Sequence, residues 1–223
     1  MLTRIEHVLN PAEIARLLAT FASVAAVAGS ETALGQAAAA KHNLQLPPDH
    51  PAVRDAQRLV LAALQRHPQF YAAVYPRRAY PPLFSRYEPG MSYGNHVDSA
   101  IMLTPAALRT DVAVTVFLAD PASYDGGELV IADGADETRI KLGAGALVAY
   151  PPAFVHRVAP VTRGVRYAAV TWIESMIRDA ERRRLLQQLD LSMTALHARI
   201  GDGPELRRLN NTYHTLLRMW AET

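Results

Sequence analysis

Apolar residues recur at helical spacing near both ends of the chain and give way to short strand-like runs in the middle. The segment NPAEIARLLATFASV reads as a helix with Asn10 as its N-cap and Pro11 at the first helical position. In HPAVRDAQRLVLAALQRHPQF, Val53, Leu59, Val60, Ala63 and Leu64 fall on one helical face, which predicts a second helix over residues 50–70. Between the two, GSETALGQAAAAKHNLQLPPDH reads as a loop with extended parts. From about residue 80 the texture changes. PPLFSRYEPG, DVAVTVFLAD, GGELVIA, ETRIKLG, GALVAYPP and GVRYAAVTWIES are short runs rich in Val, Tyr, Phe and Thr, punctuated by Gly, Pro and Asp. Such runs without intervening helices predict an antiparallel sandwich or barrel. From Ser175 onward the helical period returns. The expected fold is therefore α+β, mainly β: helical support over residues 1–79, a β-core over 80–174, and a helical extension over 175–223. The extension follows the last strand directly, so it should pack on the core and bury Leu185, Leu186, Leu189, Leu216, Leu217 and Trp220.

At 223 residues, half of them apolar, the chain can bury a sizeable core. It contains no cysteine, which excludes disulfides, thiolate metal sites and cysteine nucleophiles. The N-terminal MLTRIEHVLNPAEI lacks the basic-then-apolar layout of a signal peptide, and LLATFASVAAVAG is too short to span a membrane. A cytoplasmic protein with no membrane partner is expected. The net charge is only +2. The one dense basic run, RDAERRRLL, is interleaved with acids and reads as a solvated helix face, so no nucleic-acid partner is expected.

Candidate chemistry centres on MSYGNHVDSA. Side chains at i and i+2 of a strand share a face, so His96 and Asp98 converge if this segment is extended. Of the other histidines, only His156, in YPPAFVHRVAP, lies in the downstream β-region. Two histidines and one carboxylate form the facial triad of non-haem iron(II) oxygenases. An HxD pair alone is common by chance, and a single histidine is more often a surface or satisfied core residue. Further features shift that balance. Arg166 follows His156 by ten residues, in an apolar strand where a guanidinium calls for a buried anion. Its planar fork suits a carboxylate such as the remote end of 2-oxoglutarate. Gly126 and Gly127 turn the chain into the strand holding Leu129 and Ile131. Trp172 shares strand parity with Arg166, and Tyr87 ends the strand before the HxD segment. An ordinary hairpin and ordinary core packing account equally well for the glycines and the aromatic pair.

Together, RYEPGMSYGNHVDSA, FLADPASYDGGELVI, LVAYPPAFVHRVAPVTRGVRYAAVTWIESMIRD and LNNTYHTLLRMW resemble the PKHD-type hydroxylases of the bacterial iron-uptake-factor type, a branch of the prolyl-4-hydroxylase-like iron(II)/2-oxoglutarate dioxygenases. The resemblance implies a double-stranded β-helix, or jelly-roll, core. It implies His96, Asp98 and His156 as catalytic iron ligands and Arg166 as the 2-oxoglutarate anchor, with Tyr87 and Trp172 lining the cosubstrate pocket. The implied reaction hydroxylates a substrate with O₂ while 2-oxoglutarate is decarboxylated to succinate and CO₂. Asp98 favours hydroxylation over halogenation, which needs a small residue there. The family also brings ascorbate and a link to iron homeostasis. The substrate class it suggests is peptidyl or siderophore-related, with residues 30–50 and 99–110 as candidate pocket walls. The amphipathic tail offers a surface for homo-oligomer contacts, although the oligomeric state is not legible. Two rival readings stand beside this one: a nucleic-acid demethylase on the same chemistry, and a non-catalytic, cupin-type iron sensor, against which Arg166 argues.

Overall fold

The computed structural model of the protein describes residues 2–32, 40–103, 106–134 and 136–223. The N-terminal part runs β1 (Thr3–Ile5), α1 (Pro11–Ser23), β2 (Val27–Ala28), β3 (Lys41–His42), β4 (Leu44–Gln45), α2 (Pro51–Arg66), α3 (Pro68–Val74) and β5 (Pro76–Ala79). Helix α1 begins as its sequence predicts. The Asn10 side chain accepts from the Glu13 amide and the Glu13 carboxylate accepts from the Asn10 amide, both at 2.9 Å. The helix predicted over residues 50–70 is instead two helices. Pro68 disfavours helical backbone at the residue before it, and His67 is extended, with φ −88° and ψ 111°.

The strands that follow are β6 (Leu83–Tyr87), β7 (Ser92–His96), β8 (Ile101–Met102), β9 (Leu108–Arg109), β10 (Val112–Phe117), β11 (Asp125–Gly126), β12 (Leu129–Asp133), β13 (Asp136–Ile140), β14 (Leu147–Tyr150), β15 (His156–Val158), β16 (Val161–Arg163) and β17 (Arg166–Ser175). They form two large antiparallel sheets and two two-stranded ones, β8-β9 and β11-β16. The larger has the order β1-β14-β10-β17-β6-β4-β2, with β5 paired to the far end of β17; the smaller has the order β13-β12-β15-β7-β3. From β6 to β17 the chain alternates between the sheets. Strands β6, β10, β14 and β17 lie in one, and β7, β12, β13 and β15 lie in the other.

The sheets pack face to face through Leu83, Phe117 and Trp172 on one side and Leu129, Ile131 and Ile140 on the other. The outer face of the large sheet is covered by α1, α2 and α3, through Leu17, Phe21, Val60, Leu64 and Phe70 against Val114, Val116 and Ile173. Strand β10 is consequently buried on both faces at every position, which is why its sequence is apolar at all positions but Thr115 rather than alternating.

Helices α4 (Ala180–Ile200) and α5 (Pro204–Trp220) form a hairpin. Leu186 is buried against Tyr75 and Ile177, with Tyr213, Leu216, Leu217 and Trp220 partly buried around it. The predicted burial is corrected in part. Leu185 is 47 % exposed, and Leu189, Leu216, Leu217 and Trp220 are half-buried. A two-helix layer covered on one side hides only a narrow stripe, and Leu185 sits about 100° round the helix from Leu186. Among the described residues no helix is long and apolar enough to cross a membrane.

Candidate metal centre and cosubstrate pocket

His96 ends β7 and His156 opens β15, and the two are direct partners in the antiparallel register of these strands. Cross-strand pairing thus sets the imidazoles side by side, with ring centroids 4.2 Å apart. Asp98 lies beyond the end of β7, so strand alternation alone does not deliver it. Its backbone is held by a hydrogen bond from the Asp98 amide to the Pro152 carbonyl, 3.1 Å. Asp98 Oδ1 is then 3.9 Å from His96 Nε2 and 3.6 Å from His156 Nε2. One donor atom from each of the three residues lies within 4.8 Å of the others.

The tautomers follow from the second ring nitrogens. His96 Nδ1 donates to the Gly94 carbonyl at 2.8 Å and His156 Nδ1 donates to the Phe154 carbonyl at 2.9 Å. Each bond reaches back two residues and leaves the Nε2 lone pair facing the shared centre, an arrangement of the kind that orients metal-bound histidines. Burial pushes the His96 pKa down to about 4, helped by His156, against the Gly94 bond. Burial pushes Asp98 up, against the pull of His156, Trp172 and Lys41. The Trp172 indole N–H is near enough to favour the Asp98 carboxylate but falls short of hydrogen-bond geometry, and Asp98 Oδ2 is a buried oxygen without a hydrogen-bond partner among the described residues. Two imidazoles whose Nε2 atoms converge beside an unsatisfied buried carboxylate fit a divalent cation, whose charge offsets the desolvation that raises Asp98.

A cavity of about 150 Å³ opens at this centre. Tyr87, Tyr93, Tyr150, Arg166 and Trp172 line it together with the three donors. Arg166 starts β17 opposite Tyr87. It is 1 % exposed, with its guanidinium carbon 5.1 Å from the Tyr87 ring centroid and 5.6 Å from that of Phe117. Its Nε has no hydrogen-bond partner, and no carboxylate among the described residues pairs with it. The buried anion that its strand called for is therefore not supplied by the described protein. Burial raises the Tyr87 phenol pKa, with Arg166 opposing. The cavity accordingly has a cation-donor end and a guanidinium end, a shape suited to a small dicarboxylate that chelates a metal.

Every site residue expected from the sequence lines this one cavity. Other participants were expected without a specific role: Tyr93 as shaping the approach to the metal, Lys41 and Gln45 only as part of the candidate wall 30–50, and Gly127 only as part of a turn. Gly127 has φ +67°, and a Cβ there would stand 3.0 Å from Val161 Cγ2 and 3.1 Å from both Arg166 Cδ and Tyr124 Cε2. The second glycine of the turn thus makes room for the Arg166 stem. Tyr93 stacks on His96 with centroids 3.7 Å apart. Lys41 and Gln45 reach the cavity from β3 and β4; the spacing of polar residues in KHNLQL was the available signal. Of the candidate walls, Ser99 and Met102 also line the cavity, while residues 33–39 and 104–105 lie outside the described residues.

Comparison with known proteins gives the chain's family. Residues 82–174 match the family model of the 2OG-Fe(II) oxygenase superfamily, and residues 179–222 match that of the PKHD-type hydroxylase C-terminal domain. A PKHD-type hydroxylase of Xanthomonas axonopodis pv. citri is 49 % identical, with all of both chains covered. One from Methylobacterium nodulans is 47 % identical, again over all of both chains. Among solved structures, a prolyl hydroxylase from Trichoplax adhaerens in complex with a hypoxia-inducible-factor peptide fragment has a TM-score of 0.56 at 16 % identity, covering 83 % of this chain and 86 % of that one. HygX from Streptomyces hygroscopicus, with nickel, 2-oxoglutarate and hygromycin B bound, has a TM-score of 0.54 at 13 % identity, covering 79 % and 84 %. These structural likenesses establish the fold, and the full-length relatives establish the family. The chain belongs to the PKHD-type hydroxylases and is a 2-oxoglutarate-dependent dioxygenase that uses iron(II).

Proposed function

We propose that His96, Asp98 and His156 hold a single iron(II), that Arg166 binds the remote carboxylate of 2-oxoglutarate, and that Tyr87 and Trp172 wall the cosubstrate. The observation that carries this reading is Arg166: a guanidinium 1 % exposed, with no carboxylate partner among the described residues, in the same cavity as three converging metal donors. A buried cation left this way is costly until an anion enters. Iron(II), when bound, supplies the redox chemistry that couples O₂ and the decarboxylation of 2-oxoglutarate to succinate and CO₂ with hydroxylation of the substrate.

The protein's own contribution is orientation and exclusion of water. The Nδ1 bonds to Gly94 and Phe154 turn both imidazoles so that their Nε2 atoms face the centre. The donor side chains are only 5–8 % exposed, which strengthens each electrostatic contact within the site. The Arg166 fork fixes the cosubstrate along the cavity axis. An iron sensor has no use for such a fork.

The alternation of strands between the sheets supports reading residues 80–174 as a jelly roll. Residues 1–79 then support it, and the helical extension over 175–223 packs on it. The substrate in this reading is peptidyl or siderophore-related; a role in iron homeostasis is part of the proposal and rests on family resemblance alone, as does ascorbate.

The test is anaerobic titration of iron(II), then 2-oxoglutarate, into the apo protein, followed by the chelate's charge-transfer absorption and, in air, by succinate release. His96→Ala should lose metal binding and with it the chelate. A parent protein that binds iron but neither chelates 2-oxoglutarate nor releases succinate would overturn the reading and favour the sensor.

A further inference from the structure

Tyr124 is a buried phenol that does not line the cavity. It belongs to SYDGGELVI, the segment that turns into β12. Its hydroxyl oxygen has no hydrogen-bond partner among the described residues, and neither has the buried Nε of Arg166. The two side chains are neighbours. A Cβ on Gly127 would stand 3.1 Å from Arg166 Cδ and 3.1 Å from Tyr124 Cε2. The carbon bonded to Nε and the ring carbon beside the one bearing the hydroxyl therefore border the same small gap. Burial raises the Tyr124 pKa, against the pull of Arg166, so the phenol is a neutral group beside a guanidinium. One orphaned atom is a donor and the other can accept, and a buried polar atom left unmatched is costly.

Tyr124 is firmly held. Its carbonyl accepts from Lys141 Nζ at 2.6 Å, and the same ammonium lies 4.1 Å from the centroid of its ring. Gly164, at φ +71°, leaves room for it: a Cβ there would stand 2.9 Å from Tyr124 Cα. The turn before it, Pro121–Ser123, is fixed by Asp120. Asp120 Oδ1 accepts from the Ala122 amide at 2.8 Å, and the Asp120 carbonyl accepts from Ser123 Oγ at 2.6 Å. A ring fixed in this way sets the orientation of a neighbour rather than following it.

Arg166 has use for such a neighbour. The Tyr87 and Phe117 rings pack 5.1 and 5.6 Å from its guanidinium carbon, yet Nε is left without an acceptor. A guanidinium carries its five donors in a rigid fork, and a carboxylate can meet it either across Nε and one terminal nitrogen or across the two terminal nitrogens. An oxygen placed on Nε selects the second of these edges and sets the rotation of the fork. Since Tyr124 does not line the cavity, it acts on the cosubstrate through Arg166.

We propose that the Tyr124 hydroxyl accepts a hydrogen bond from Arg166 Nε when the cosubstrate docks, and so holds the two terminal nitrogens of the guanidinium toward the remote carboxylate. Tyr124 is thus a positioning residue for 2-oxoglutarate. The inference rests on the reading that Arg166 anchors that carboxylate.

Tyr124→Phe removes the hydroxyl and keeps the ring with its Lys141 contact. Iron(II)-loaded parent and variant would be titrated anaerobically with 2-oxoglutarate and with 2-oxopentanoate. The second acid carries the same chelating end but has a methyl group in place of the remote carboxylate, and the absorption of the chelate reports both. The variant should bind 2-oxoglutarate about tenfold more weakly, with its affinities for 2-oxopentanoate and iron(II) within about twofold of the parent's. In an Arg166→Met background, adding Tyr124→Phe should leave 2-oxoglutarate binding where it is. The proposal fails if Tyr124→Phe binds 2-oxoglutarate as the parent does. It fails equally if both keto acids weaken alike, as a loosened fold would make them, or if the effect persists in full without Arg166. Failure of the Arg166 reading is distinguishable: Arg166→Met alone would then bind 2-oxoglutarate like the parent, overturning the anchor and this inference with it.

Discussion

Arg166→Lys keeps the charge and removes the planar two-pronged fork. The guanidinium is 1 % exposed and packed against the Tyr87 and Phe117 rings, and no carboxylate of the described residues pairs with it. The variant therefore breaks no ion pair within the protein, and without ligand its stability should change little. The loss should appear only when the cosubstrate is present. Removing one charge-assisted hydrogen bond costs about 1.5–3 kcal/mol, or about ten- to 150-fold in affinity. At a 2-oxoglutarate concentration about 100 times the parent Kd, binding stabilises the parent by about 2.7 kcal/mol. A variant about fifty-fold weaker sees about twice its own Kd and gains about 0.6 kcal/mol. For a protein of this size 1 kcal/mol moves Tm by about 2–4 °C, so the cosubstrate shift should fall from about 5–10 °C to about 1–3 °C. The assay is thermal unfolding of zinc-loaded protein with and without 2-oxoglutarate, with the zinc-dependent shift alone as the control for an intact metal site. An Arg166→Lys protein whose 2-oxoglutarate shift equals the parent's would refute the anchor assignment.

Gly127→Ala places a Cβ at φ +67° and about 3 Å from the Arg166 stem. It should cost about 1–3 kcal/mol in urea unfolding and weaken 2-oxoglutarate binding in the same absorption titration, without altering any metal donor. In the tail, Leu186→Ala should destabilise by about 2–5 kcal/mol, whereas Leu185→Ala, at an exposed position, should stay within about 0.5 kcal/mol; equal losses in denaturant melts would contradict the packing of α4. The apo protein should lose stability through His96 as pH falls. The imidazole titrates at about 4 in the fold and at about 6.5 unfolded, so between these values the unfolded chain binds the extra proton. His96→Gln should flatten that part of the apo stability–pH curve by up to one proton, and an unchanged slope would show that His96 is not the buried neutral group described.

Much of the fold was legible because its signals are local. The Asn10–Glu13 capping box, the change from helical period to short β-runs near residue 80, and the return of helical period after Ser175 depend on neighbours a few positions away. The same holds for the chemistry of the centre, where an imidazole and a carboxylate are separated by one residue and His156 is the only other histidine of the β-region. What the tertiary structure decided is how distant segments meet. Asp98 is placed by the Pro152 carbonyl and not by strand alternation. The two imidazoles are neighbours because β7 and β15 pair in a register that no local pattern encodes. Lys41 enters the cavity only because β3 and β4 are drawn onto the edges of sheets made by residues about forty to fifty positions later. Leu186 and Leu185 are equally apolar in the sequence, and the one-sided layer on which α4 rests selects between them. Periodicity states which side of an element is apolar, but pairing register and the width of the covering layer follow from the free energy of the whole packed chain, which no short window contains.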